Sequence, residues 1–258
     1  VKIGKQIAKK YGKAKVICAN NVFAHIHNLD EIVEAVGMLL DKNGVFIIQQ
    51  NYLKSMLELN AFDNVVHEHL EYYSMHSLNN LLTKHGLEIF DAETNDINGG
   101  SFRTYIAFKN KRKVQKSVFQ LLRQEKKVGL DNKNVYERFA KRIKKSKKVL
   151  KDFIEKQVKK GKKIYVYGAS TRGNTLLQYF GLDKKLIEKA VERNSEKWGK
   201  KIASVGIPII SEKQARKEKP DYMLVLPWFF KEEFIKREQE YLESGGHLIF
   251  PLPVVEII

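Results

Sequence analysis

Residues 109–163 hold 22 basic and 5 acidic side chains, and this block divides the chain. Residues 1–108 carry 10 basic and 12 acidic groups, and residues 164–258 carry 15 and 13. The formal net charge of +17 therefore resides in the block. A nucleic-acid groove spreads its basic field over a binding surface, whereas this excess is confined to one connector. Within it, Val135, Phe139, Ile143, Leu150, Ile154 and Val158 recur near helical spacing with lysines between them. That pattern predicts a solvated helix pair with one buried stripe. Few aromatic side chains are available there to stack on bases, which also argues against nucleic acid as a partner.

On either side of the block the sequence alternates between short apolar strands and helices. Val16–Ala19 reads as a strand, followed by a helix over Ile32, Val33, Val36, Leu39 and Leu40 that Asn28 or Asp30 can cap. Residues 41–44 read as a turn and Val45–Ile48 as a buried strand. Ser77 can cap a helix over Leu78, Leu81 and Leu82 that Gly86 ends. Leu87–Ala92 and Ser101–Phe108 are further strands, joined by a loop at Asn98-Gly99-Gly100. After the block come strands near 163–168, 189–192, 221–226 and 247–250, with helices at 173–180, 211–217 and 231–242, the pattern of a small doubly wound α/β unit. The expected domains are 1–110, a basic helical connector over 111–160, and a Rossmann-like domain over 161–258.

No run approaches the roughly eighteen uncharged apolar residues that span a bilayer, so no membrane partner is expected. The first fifteen residues carry six lysines and no apolar signal-peptide core. The single cysteine, Cys18, precludes an internal disulfide and is expected as a buried spacer in a reducing cytoplasm.

Two segments carry chemistry. In Asp63–Tyr73, His67 and His69 flank Glu68; imidazoles move protons at neutral pH, and an adjacent carboxylate can orient one of them. Two histidines at i and i+2 could equally pack, cap, or contribute to a metal site, but no third ligand stands nearby in sequence. In Gly168–Asn174 a strand-to-helix turn offers free amides to phosphate, and Arg172 adds a charged donor. The segment lacks the full G-x-G-x-x-G spacing, which favours a sugar-nucleotide diphosphate over a dinucleotide. Arg193 and Trp228 sit at other strand ends, and Tyr72 and Tyr73 either line a pocket or pack beneath it.

The series Asn21–Ile26, 41–48, Phe62–Tyr73 and Gly99–Arg103 keeps one register, continued by Tyr165–Ser170, Arg172–Leu177 and Leu226-Pro227-Trp228. Across essentially the whole chain it resembles the sugar C-methyltransferase family, which methylates nucleotide-linked deoxy-keto sugars. The resemblance implies that residues 1–110 are the back half of a Rossmann-like methyltransferase domain using S-adenosylmethionine. It further implies that the 161–258 domain helps hold the sugar nucleotide. No glycine-rich strand-to-helix turn precedes Val16, and Val1 stands where a methionine would begin a frame. A truncated chain is therefore expected, lacking the main cofactor motif and the N-terminal zinc domain of the family. By position in the family motifs, His69 is the base, Glu68 an active-site glutamate and His25 a second active-site histidine. Tyr73, Arg103, Ser170, Arg172, Asn174 and Arg193 are the expected substrate-binding residues; Asn20 and Asn21 are the expected cofactor contacts. Val66 and Asn98 replace a tyrosine and a histidine of the pattern. Those departures leave a methyltransferase for non-sugar ketones as one alternative, and a non-catalytic nucleic-acid module built on the basic connector as another.

Overall fold

The computed structural model describes all residues, Val1–Ile258, and they divide into two units. The first comprises Val1–Leu57 and His67–Tyr136; the second comprises Glu58–Val66 and Glu137–Ile258. The lysine-rich helices are thus shared between the units and form no body of their own.

In the first unit α1 (Lys2–Tyr11) precedes β1 (Ala14–Asn20), α2 (Leu29–Leu39) and β2 (Leu40–Asn51). The short α3 (Leu53–Glu58), α4 (Met75–Lys84), the hairpin of β3 (Leu87–Asn95) and β4 (Ser101–Phe108), and α5 (Lys116–Val128) follow. The sheet order is β1-β2-β4-β3, with β1 and β2 parallel and β4 inserted antiparallel to both neighbours. The loop expected between the last two strands is the hairpin connection that makes β4 antiparallel to β3. The hairpin turns through Asn98, Gly99 and Gly100, all at positive φ, where only glycine and a few polar residues are unstrained. Phe23, Phe46, Ile48, Phe102, Met75 and Leu78 are buried in its core.

Three local expectations need correction. Residues 41–44 do not form a turn; they lie inside β2. A Cβ on Gly44 would lie 2.8 Å from Leu40 Cδ1 and 2.9 Å from the Ala14 carbonyl, so glycine lets β2 pass close to β1 at a register shift. Helix α4 is capped by Ser74, not Ser77. Ser74 Oγ accepts from Ser77 N at 3.0 Å, and Ser77 Oγ accepts from Ser74 N at 3.0 Å, a reciprocal capping box. The Glu125 carboxylate from α5 takes the next two amides, Met75 N at 2.5 Å and His76 N at 3.1 Å. Cys18 is exposed rather than buried, because Val16, Cys18 and Asn20 alternate onto the open face of β1.

Helix α6 (Lys133–Lys159) enters the second unit at Glu137. Then come β5 (Ile164–Tyr167), α7 (Thr171–Phe180), β6 (Lys189–Glu192), β7 (Lys201–Ile202) and β8 (Ile207–Ser211). The unit ends with α8 (Glu212–Glu218), β9 (Tyr222–Val225), α9 (Lys231–Arg237), α10 (Gln239–Glu243), β10 (His247–Phe250) and β11 (Glu256–Ile257). The sheet order is β11-β10-β9-β5-β6-β8-β7; its five central strands are parallel and the two short edge strands antiparallel. All four residues of β5 are buried, as befits a parallel strand covered on both faces. From β5 the chain winds outward through β6 and β8, then returns to β9 on the other side. The crevice between β5 and β9 is therefore the topological switch point.

The helix expected over 231–242 is broken at Glu238, which is fully buried. Its carboxylate accepts from Tyr167 Oη at 3.1 Å, Arg216 Nη2 at 3.0 Å and Arg237 Nε at 3.2 Å. The interruption turns that carboxylate inward. Strand β8 carries Pro208, which masked its pattern in the sequence. No helix is long and apolar enough to cross a membrane.

Candidate active site

In the first unit, β1 ends at Asn20 and the chain turns at once. Asn21 adopts φ +54°, a conformation asparagine tolerates, while its N–H donates to the Gln49 carbonyl at 2.7 Å. A short 3₁₀ turn, Phe23–His25, follows. Two bonds tie it to the segment 44 residues later. Leu70 N donates to the Ala24 carbonyl at 2.8 Å, and His25 Nδ1 donates to the Glu68 carbonyl at 2.8 Å. The His25 and His69 rings consequently stand 5.1 Å apart, inclined at 58°. His25, Glu68 and His69 are thus brought together, Glu68 through its backbone. With Nδ1 holding the His25 proton, Nε2 is the nitrogen left to face a ligand. His67 points outward, 82% exposed, with Nε2 3.8 Å from Glu68 Oε1. The His67-Glu68-His69 group lies in a turn, not a strand.

Tyr73 is buried beneath this turn and donates its hydroxyl to the Phe23 carbonyl at 3.3 Å. Burial, aided by the Glu71 charge, pushes its phenol well above the ordinary tyrosine range. Arg103 is engaged across the sheet. Its Nε and Nη2 donate to Gln49 Oε1 at 2.9 and 2.6 Å, and Nη1 donates to Glu93 Oε1 at 2.8 Å. Asn20 and Asn21 are exposed at the carboxyl end of β1. Beside them Gln50, on β2, is 2% exposed, and neither of its amide atoms has a partner. Such a group is costly by about 1–3 kcal/mol. The register pairs Asn20 with Gln49, so Gln50 stands one residue further along the adjacent parallel strand, near its carboxyl end, where α/β sheets bind ligands. Gln50 was missed in the sequence, where its signal is the amide run Gln49-Gln50-Asn51 closing an apolar strand.

In the second unit a cavity of about 450 Å³ opens at the carboxyl ends of β5, β6 and β9, at the switch point. Gly168, Ala169, Ser170, Glu192, Arg193 and Phe230 line it, among others. Gly168 takes φ +97°, with Pro227 Cδ 3.1 Å from where a Cβ would stand. A Cβ at Gly173 would lie 2.7 Å from Leu226 Cδ1, so this glycine permits close helix–strand packing. Ser170 caps α7, its hydroxyl accepting from Gly173 N at 3.1 Å.

Of the four residues expected here, Ser170 and Arg193 line the cavity and two are occupied elsewhere. Arg172 Nε donates to Asp63 Oδ2 at 2.9 Å, its Nη2 stands 2.7 Å from the same oxygen, and its guanidinium covers the Phe229 ring at 4.8 Å. Trp228 Nε1 donates to that oxygen at 3.2 Å. Burial raises the Asp63 pKa against the opposing pull of the Arg172 charge and these hydrogen bonds. Asn174 Oδ1 accepts from the Ser204 hydroxyl. Glu192 was not anticipated; its signal is an acid ending the second strand of a β-turn-α-β unit, 24 residues after Gly168.

Residues 96–253 match the C-methyltransferase C-terminal domain family, and residues 3–92 match a methyltransferase domain family. The chain is 34% identical over 257 residues to the C-methyltransferase NovU of Streptomyces niveus. That similarity covers 99% of this chain and 61% of the relative, so the chain spans about three-fifths of that protein's length. Among solved structures, the M1.HpyAVI crystal structure is similar over 42% of this chain and 50% of its own, at 16% identity and a TM-score of 0.27. PKMT2 from Rickettsia typhi is similar over 42% of this chain and 38% of its own, at 14% identity and a TM-score of 0.29.

Proposed function

The chain belongs to the family defined by the C-methyltransferase C-terminal domain, and on that premise we propose that it serves methyl transfer to a carbon beside a ketone, on a nucleotide-linked deoxy sugar. The observation that carries this reading is the His25–His69 pair, held at 5.1 Å by the His25 bond to the Glu68 carbonyl.

A carbon α to a ketone becomes nucleophilic only when its proton leaves. His69 takes that proton, a step by which a positioned base typically contributes about 10²–10⁴-fold. The electron pair left behind delocalises onto the ketone oxygen. When it is an imidazolium, His25 keeps Nδ1–H on the Glu68 carbonyl and offers Nε2–H to the resulting enolate. Bound S-adenosylmethionine supplies an electrophilic methyl group, and Asn20, Asn21 and Gln50 are the residues of this chain that would hold it. Tyr73 and the Leu70–Ala24 bond keep the two histidines in register, so much of the catalysis is positioning. Ser170 and Arg193, in the cavity of the second unit, suit a nucleotide diphosphate.

A substrate panel tests this reading. Nucleotide-linked keto sugars and simple ketones are each incubated with the protein in deuterated water. The reading expects deuterium at the α carbon of the nucleotide-linked sugars only; equal labelling of simple ketones would overturn the sugar assignment.

A further inference from the structure

Glu192 closes β6 beside the turn that follows β5, and its carboxylate is saturated. Oε1 accepts from Arg193 N at 2.9 Å and Asn194 N at 3.1 Å. Oε2 accepts from Ala169 N at 3.1 Å and from the Lys197 ammonium at 3.4 Å. An ionised carboxylate has about four acceptor sites, so nothing remains for a ligand hydroxyl. An acid at this place in a dinucleotide fold ordinarily receives a ribose hydroxyl. Here its bonds run instead to the turn itself. Lys197 Nζ also donates to the Ala169 carbonyl at 2.9 Å, so the pair holds both polar ends of Ala169. Ala169 follows Gly168, which holds φ +97° with its N–H on the Val191 carbonyl at 2.8 Å, so the pair fixes the next residue of the turn. The pair also solves an electrostatic difficulty, because a carboxylate lining an anion site repels its ligand unless a cation stands on it. Burial acts to raise the Glu192 pKa, but the three amides and the Lys197 charge outweigh it and hold the group below the ordinary glutamate range.

We propose that Glu192 and Lys197 are positioning residues that clamp Ala169, presetting the Gly168–Ser170 turn for the diphosphate of a nucleotide, and that Glu192 does not read the ribose. This rests on the reading that the cavity takes a sugar nucleotide. Two consequences separate the clamp from other roles. The two residues act as one unit, so their losses are not additive. The loss falls on the diphosphate and is blind to the 2′-hydroxyl.

The test is calorimetry on the full 258-residue chain with uridine diphosphate, 2′-deoxyuridine diphosphate and uridine. The proteins are the wild type, Glu192→Gln, Lys197→Met and the double variant. Each single change is expected to weaken both diphosphates equally, by about tenfold, the scale of one charge-assisted hydrogen bond. Uridine binding stays unchanged, and the double variant is no weaker than the worse single one. A loss confined to the ribose form would make Glu192 a ribose ligand and overturn the clamp. Additive losses, no loss, or a parallel loss for uridine would overturn it too. Lys197→Met leaves the three amide bonds to Glu192 in place, so it decides the matter should Glu192→Gln fail to fold. A wild-type chain that bound neither diphosphate would overturn the nucleotide reading, and the clamp with it.

Discussion

His25 and His67 differ in how they are held. His25 is fixed through Nδ1 by the Glu68 carbonyl, while His67, two residues before His69, extends into solvent. His67→Ala is therefore expected to leave α-proton exchange within about twofold of wild type, because an exposed group makes no positioned proton transfer. The Arg172–Asp63 pair gives a prediction about stability. Asp63 is 1% exposed, and removing its cation leaves a buried charge unpaired. Urea unfolding should show Arg172→Met losing about 3–5 kcal/mol. Arg193→Met, at the cavity, should stay within about 0.5 kcal/mol. A stability loss for Arg193→Met equal to that for Arg172→Met would contradict this division of labour. Both arginines stand at strand-to-helix positions and look alike in sequence. What separates them is Asp63, 109 positions from Arg172, and no local pattern reports a partner so distant. His25 and His69 were legible because each stands in a recognisable motif. Gln50 and Glu192 were not, because their significance lies in which bonds they make or lack.

Among the elements, α4 and α8 make the sharpest predictions. Ser74 anchors one half of the α4 capping box, so Ser74→Ala should cost about 1 kcal/mol in chemical denaturation. Glu125, on two further amides of the same helix end, keeps the loss from growing larger. At the end of α8, Glu218 accepts from Lys189 Nζ at 2.6 Å and from the Tyr165 hydroxyl. Burial works against its ionisation, but these donors lower its pKa from 4.5 to about 2. The folded value is depressed, so the stabilisation is complete above about pH 4.5 and is lost as pH falls toward about 2. Glu218→Gln should flatten the acid limb of the stability profile over that window; an unchanged limb would show that the carboxylate contributes nothing there. Strands β6 and β10 and helix α8 were readable from composition and turn signals. The break at Glu238 was not, because the apolar spacing of 231–242 runs straight through it. A buried carboxylate that gathers Tyr167, Arg216 and Arg237 is a tertiary demand, and it overrode the helical period.

For the whole molecule, two sheets of the expected α/β kind are observed, one ending in an antiparallel hairpin and one doubly wound. The α/β class followed from the alternation of strands and helices; the assignment of residues 58–66 to the second unit did not. That segment is held there by Phe62 stacked on Phe180 at 5.1 Å and by Asn60 bonded to the Pro253 carbonyl at 2.7 Å. Neither contact has a sequence signal. The charge of +17 lies along α5, α6 and their flanks, spread over solvated helical faces. Arbitrary duplex DNA should accordingly bind only weakly at about 0.15 M salt; a tight, steeply salt-dependent complex would favour a nucleic-acid role. The role proposed for His69 is removal of a proton from a carbon beside a ketone. It is tested most directly by the rate at which a nucleotide-linked keto sugar loses its α-proton NMR signal in deuterated water, with wild-type protein and with His69→Ala. The expected result is exchange with the wild type, slowed about 10²–10⁴-fold by the substitution. Exchange undiminished in His69→Ala, or absent with the wild type, would contradict it.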